Sequence, residues 1–109
     1  MMKRQALTQE IRTRVEAIVK RFNESVIRDP YAGYVARYRG NHLYLDRYAG
    51  EAGSPICRLT YTGKMDKWKF AIYKYSEERY DSEEWFFPGA EHVNGTIEGA
   101  LKAGLDAYP

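Results

Sequence analysis

Few side chains in this sequence are placed to do chemistry: His42, His92 and the single Cys57 are the only imidazole or thiol groups it holds. A metal centre needs several donors converging from compatible spacings. These three fall on three separate predicted elements, so neither a ligand set nor a cofactor is expected. Glu91-His92 offers two donors side by side, but neighbours in a loop are expected to point apart as an ordinary solvated pair. Cys57 would act as a nucleophile only if exposed beside a base. The strand register derived below instead sets it among apolar partners, as an inert buried thiol.

Gly50-Glu51-Ala52-Gly53 would cradle a phosphate only if it led from a strand into a helix N-terminus, and it leads into another strand. Asp81, Glu83 and Glu84 have the types of an acid–base pair, yet nothing in the sequence builds a pocket around them, and solubility accounts for them. An enzymatic reading therefore rests on one placement, His92 and Glu91 beside Trp85-Phe86-Phe87, which would wall a small pocket. No catalytic or metal-binding residue is assigned.

The remaining constellation depends on the elements that position it. From Leu7 the apolar positions Ile11, Val15, Ile18, Phe22 and Val26 recur in steps of three and four, the stripe of an amphipathic helix. Asp29-Pro30 ends it, because proline drives the preceding residue out of the α region. Over residues 34–75 the period changes to two, rich in tyrosine and punctuated by Gly and Asn, which reads as four strands. Gly40-Asn41 is a two-residue hairpin signal that pairs Arg39 with His42, Arg37 with Tyr44 and Val35 with Asp46. Tyr34, Ala36, Tyr38, Leu43 and Leu45 then occupy the opposite face.

Residues 50–54 read as a flexible connector, Pro55 opens a third strand over 55–62, and residues 63–66 return the chain. That loop sets Tyr61 opposite Trp68, Leu59 opposite Phe70 and Cys57 opposite Ile72 on the apolar side. Ile56, Arg58, Thr60, Lys69, Ala71 and Tyr73 go to the reverse. Residues 77–84 are an acidic stretch, and Trp85-Phe86-Phe87-Pro88-Gly89 is either a short edge strand or an aromatic plug at one end of the core. Asn94-Gly95-Thr96 starts a closing helix carrying Ile97, Leu101 and Leu105. The expected fold is α+β, one domain over 1–109 in α-β-β-β-β-α order, with both helices on the Leu43, Leu45, Leu59, Phe70 face and the second face partly open.

That second face is the candidate binding surface. The two registers place Arg37, Arg39, His42, Arg58 and Lys69 beside Tyr44, Tyr48, Tyr73 and Tyr75, with Asp46 as the sole predicted acid. Tyr and Arg are the residues enriched in protein interfaces, so a protein partner or a second copy of the chain fits. Rings flanked by cations also serve single-strand nucleic-acid binders, the alternative partner.

A strand ending near Tyr61, a short loop into Trp68-Lys69-Phe70, a tyrosine-rich strand from Tyr73 to Tyr75, and a Gly95-Thr96 start to a helix containing Ala100-Leu101 together resemble a small family of uncharacterised prokaryotic domains. The likeness covers the C-terminal half and its motifs are aromatic and structural. It implies a fold, carries no assigned activity, and transfers no site residue.

Composition bounds the rest. Ten tyrosines and 15% aromatics argue for a packed core, and a net charge of +2 is too small to imply nucleic acid by itself. A lone cysteine forms no intrachain disulfide, and the absence of an apolar run of membrane-spanning length leaves no spanning segment. The charged start of the chain lacks a signal-peptide core, so a cytoplasmic, non-membrane protein is expected.

Overall fold

The computed structural model describes residues 7–50 and 52–109. They form α1 (Gln9–Phe22), a π turn (Asn23–Ile27), β1 (Ala32–Arg39), β2 (His42–Ala49), β3 (Ala52–Thr60), β4 (Lys69–Lys74), β5 (Arg79–Asp81), a 3₁₀ turn (Ala90–His92) and α2 (Ile97–Ala107). The class is α+β as expected, with a helix at each end of an antiparallel sheet in the order β1-β2-β3-β4-β5. Five strands replace the four read from the sequence. Among the described residues no helix is long and apolar enough to cross a membrane.

Helix α1 begins where the Thr8 hydroxyl accepts a hydrogen bond from Ile11 N at 3.2 Å, a cap worth about 1 kcal/mol. Val15, Val19 and Phe22 are buried along its stripe, but Val26 is 46% exposed. The stripe fails there because the last turn widens to a π turn, closed by Arg28 N to Asn23 O at 2.8 Å. Arg28, in the left-handed region at φ 60, stops the helix just ahead of Asp29-Pro30.

The widened turn delivers Asn23 to the edge of the sheet. Its carboxamide accepts from Tyr34 N at 2.8 Å and donates to Tyr34 O at 2.9 Å, standing in for the strand that β1 lacks on its outer side. Gly33 is required beneath it, since a Cβ would lie 2.9 Å from the Asn23 side chain.

Both predicted registers are observed. Arg39 pairs with His42, Arg37 with Tyr44 and Val35 with Asp46; Cys57 pairs with Ile72 and Leu59 with Phe70. The second ladder closes at Thr60 and Lys69, and the Tyr61 and Trp68 rings meet just beyond it at 4.9 Å.

Three expectations are corrected. Strand β3 starts at Ala52, where Ala49 pairs with Ala52 and Tyr48 with Gly53, so most of the supposed connector is strand; Glu51 lies outside the described residues. Ile56, assigned to the reverse face, is only 2% exposed and packs toward α2 beside Gly104. A bulge between Leu45 and Asp46 is responsible, because the extra residue on β3 lets Ile56 and Cys57 both turn inward. The acidic stretch contains β5, pairing Tyr73 with Tyr80 and Lys74 with Arg79 after a turn in which Glu78 takes φ 51.

Residues 85–87 form no strand. Phe87 stacks on Phe70 with centroids 6.0 Å apart, closing the end of the core, while Trp85 and Phe86 are exposed.

The core lies between the helices and the inner sheet face, where Leu43, Leu45, Leu59, Ile97 and Leu101 are essentially inaccessible. Helix α2, capped by Thr96 Oγ1 accepting from Gly99 N at 3.0 Å, approaches the sheet closely. Buried Tyr34 ties it down, its hydroxyl donating to Leu101 O at 2.8 Å and accepting from Arg47 Nη2 at 3.2 Å. Arg47 also donates to Gly104 O and Tyr108 O, so its charge meets the negative end of α2 rather than a carboxylate.

Candidate functional site

The two ladders carry side chains across the outer sheet face in rows. One row runs Arg39, His42, Thr60, Lys69 over β1 to β4, and the next same-face row runs Arg37, Tyr44, Arg58, Ala71. Arg39 and Lys69 are exposed, and among the described residues neither has an ion-pair partner. His42 is half-buried, with Nδ1 3.0 Å from Thr60 Oγ1 and its ring 6.1 Å from Tyr44.

The inner row is held from above by Tyr80, which sequence reasoning left in the acidic stretch. From β5 its ring reaches across small Ala71 to stand edge-on to Tyr44 at 5.3 Å and to Tyr73 at 4.9 Å. The Arg58 guanidinium carbon lies over the same ring, 5.5 Å from its centroid, and among the described residues Arg58 Nε is buried without a hydrogen-bond partner. Ala71, expected on an open face, is 3% exposed for this reason.

Tyr73 continues edge-on to Tyr75 at 4.9 Å, and Tyr75 to Tyr108 at 5.3 Å. His42, Tyr44, Tyr80, Tyr73, Tyr75 and Tyr108 thus form one relay of edge-to-face rings. Each such contact is worth about 0.5–1.5 kcal/mol beyond burial, so these rings are immobilised before any partner arrives. Tyr75 Oη donates to Pro55 O at 2.7 Å and Tyr108 Oη to Tyr73 O at 2.5 Å, pinning the far end.

Arg37 lies over the Tyr44 ring at 4.8 Å and makes a bidentate pair with Asp46. That hydrogen bond holds the Arg37 guanidinium above its ordinary pKa. Among the described residues, Asp46 is thus paired with Arg37, while Arg39, Arg58 and Lys69 have no ion-pair partner.

Of the eight predicted binding residues, Arg37, His42, Tyr44, Arg58 and Tyr73 converge, and Arg39 and Lys69 flank them on the cationic row. Tyr48 does not join them. It sits at the other end of β2, lining a cavity of about 550 Å³ with Glu16, Lys20, Arg28 and Val35 between α1 and the β1 edge. Tyr80 and Tyr108 were missed; the three residues Arg79-Tyr80-Asp81 are too few to show a strand period.

The supposed catalytic corner is arranged differently. A cavity of about 390 Å³ is bounded by Phe86, Phe87 and Pro88 with Lys74, Glu84 and Tyr108, and His92 is not part of its lining. Lys74 contacts Glu77 at 2.8 Å, Glu84 at 3.2 Å and Asp81 at 3.8 Å, so these carboxylates form an ion-pair network at the sheet edge. Cys57 is fully buried, and burial pushes its thiol well above the ordinary 9.0.

Burial also raises the hydroxyl pKa of Tyr34, Tyr38, Tyr80 and Tyr108 above the ordinary 10.0. The folded chain therefore holds these protons more tightly than the unfolded chain does. The resulting stability is complete below the unfolded values and is lost as pH climbs past them. Urea midpoints should be flat to about pH 8.5 and fall steeply above pH 10, with fully buried Tyr34 alone contributing about 1.4 kcal/mol per pH unit. Equal midpoints at pH 8 and 11 would contradict this origin.

No family model, curated protein or solved structure matches the chain.

Proposed function

We propose that this chain is a non-enzymatic interaction domain that contacts protein through its Tyr/Arg sheet face, including a second copy of itself. The observation behind the proposal is the ring relay with guanidinium groups seated on it. Tyrosine and arginine are the side chains that dominate protein contacts, and here their rotamer entropy is already spent in the free molecule. A two-fold axis near Tyr73 and Tyr80 would lay one relay on the other and keep the two Arg39–Lys69 rows at opposite ends. Such a dimer would hold or tighten as salt rises, since screening removes only its residual repulsion.

Single-stranded nucleic acid is the second reading, favoured by the exposed Arg39 and Lys69 beside the rings. Against it, guanidinium groups already lie on Tyr44 and Tyr80, where bases would stack. The two readings separate by salt: strand binding must weaken steeply with salt. Light scattering across concentration at low and high salt, alongside an oligothymidine titration, distinguishes them. A doubled mass that survives high salt and is abolished by Tyr73→Glu supports the dimer. A monomer throughout, with Tyr44 and Tyr73 amide shifts unchanged on dilution, rules out self-association through this face. Salt-sensitive oligothymidine binding lost in the Arg39→Glu, Lys69→Glu variant would transfer the face to nucleic acid.

A further inference from the structure

On the opposite side of the molecule from the sheet face, three metal-ligating side chains converge from two elements. Glu91 and His92 belong to the 3₁₀ turn Ala90–His92, and Asp106 to the last turn of α2. His92 Nε2 lies 3.0 Å from Asp106 Oδ2 and 3.9 Å from Glu91 Oε2, and one donor atom from each residue lies within 4.8 Å of the others. The expectation that Glu91 and His92 point apart is not met. Gly89, at φ 97, packs directly on α2, where a Cβ would come within 2.6 Å of Ala103 O and 2.7 Å of Asp106 Cβ, and this close approach brings the turn to Asp106.

We propose that Glu91, His92 and Asp106 form a binding site for a divalent transition cation of the zinc type. One imidazole with two carboxylates is a borderline donor set that suits such ions better than calcium or magnesium. Tetrahedral bonds of 2.0–2.1 Å separate neighbouring ligand atoms by about 3.3 Å, so rotation of the exposed Glu91 side chain completes three positions and water takes the rest. Electrostatics supplies the second reason. Both carboxylates sit at the negative end of α2, whose last turn holds no basic residue. Among the described residues His92 is the sole salt-bridge partner of either. Arg47 meets the last carbonyls of α2, but among the described residues no Lys or Arg pairs with Glu91 or Asp106, and a divalent cation would neutralise these two carboxylates.

The chain's other histidine is an internal control, because His42 lies on the far sheet face against Thr60, and Cys57 is buried beyond reach of added metal. Calorimetric titration of the untagged full chain with Zn²⁺ should give one equivalent. Histidine ring spectra with substoichiometric Co²⁺ should shift or broaden His92 and spare His42. His92→Ala and Asp106→Asn should each weaken Zn²⁺ binding at least about tenfold, with unchanged circular dichroism showing that the substitutions leave the fold intact. Failure to bind Zn²⁺, equal perturbation of both histidines, or unaltered affinity in His92→Ala would each overturn the proposal.

Discussion

Gly95→Ala should lower stability by about 2–4 kcal/mol, because it combines a backbone strain with a steric clash. Gly95 adopts φ 91, where a side chain costs roughly 1–2 kcal/mol in local strain. The new Cβ would in addition stand 2.4 Å from Asp66 O, a backbone atom that cannot swing aside. Relieving that contact means parting the residue 63–67 loop from the start of α2, and the Trp68 N to Gly95 O bond of 2.9 Å goes with it. Melting temperature should fall by roughly 10 °C with an unchanged urea m-value. Gly40→Ala separates the two contributions, because Gly40 has φ 61 but nothing within 4 Å of its would-be Cβ. It should cost only the strain, about 1 kcal/mol, and equal losses at both positions would refute the steric account.

Tyr80→Ala is the second, at about 2–3 kcal/mol, and it links stability to the proposed interaction surface. The substitution removes the edge-to-face contacts with Tyr44 and Tyr73, uncovers Ala71, and takes away the ring beneath the Arg58 guanidinium. Strand β5 has three residues and pairs on one side only, so its amides and those of β4 should lose hydrogen-exchange protection first. Tyr80→Phe preserves the ring and should stay within about 1 kcal/mol of the parent. Any self-association through the face should be lost in the alanine variant and kept in the phenylalanine one. If Tyr80→Ala left β4 protection intact, Tyr80 would be a passive surface ring and the preorganisation argument would fail.

Tyr80 also marks where reading the sequence stops. Both hairpin registers were legible because each is a local problem, in which a short reversal at Gly40-Asn41 or at residues 63–66 fixes every pair that follows by alternation. The same alternation sent Ile56 to the wrong face, since a bulge inserts one residue without any marker in side-chain type. Strand β5 was missed for a related reason: Arg79-Tyr80-Asp81 is too short to show a period, and the surrounding acids mask it. It exists because Tyr73 and Lys74 offer an edge to pair with and Lys74 neutralises Glu77, Asp81 and Glu84.

What the sequence determined alone was the α+β class, the helix stripes, the two registers, and hence the separation of apolar from cationic side chains onto opposite sides of the sheet. All of these follow from periodicity and turn chemistry acting over a few residues. The tertiary structure decided everything that needs two distant segments to meet: Asn23 clipping the β1 edge, Arg47 at the end of α2, Tyr80 reaching over Ala71 to Tyr44, and Asp106 arriving beside Glu91 and His92. Those contacts join side chains through space, where neither spacing nor composition carries the distance.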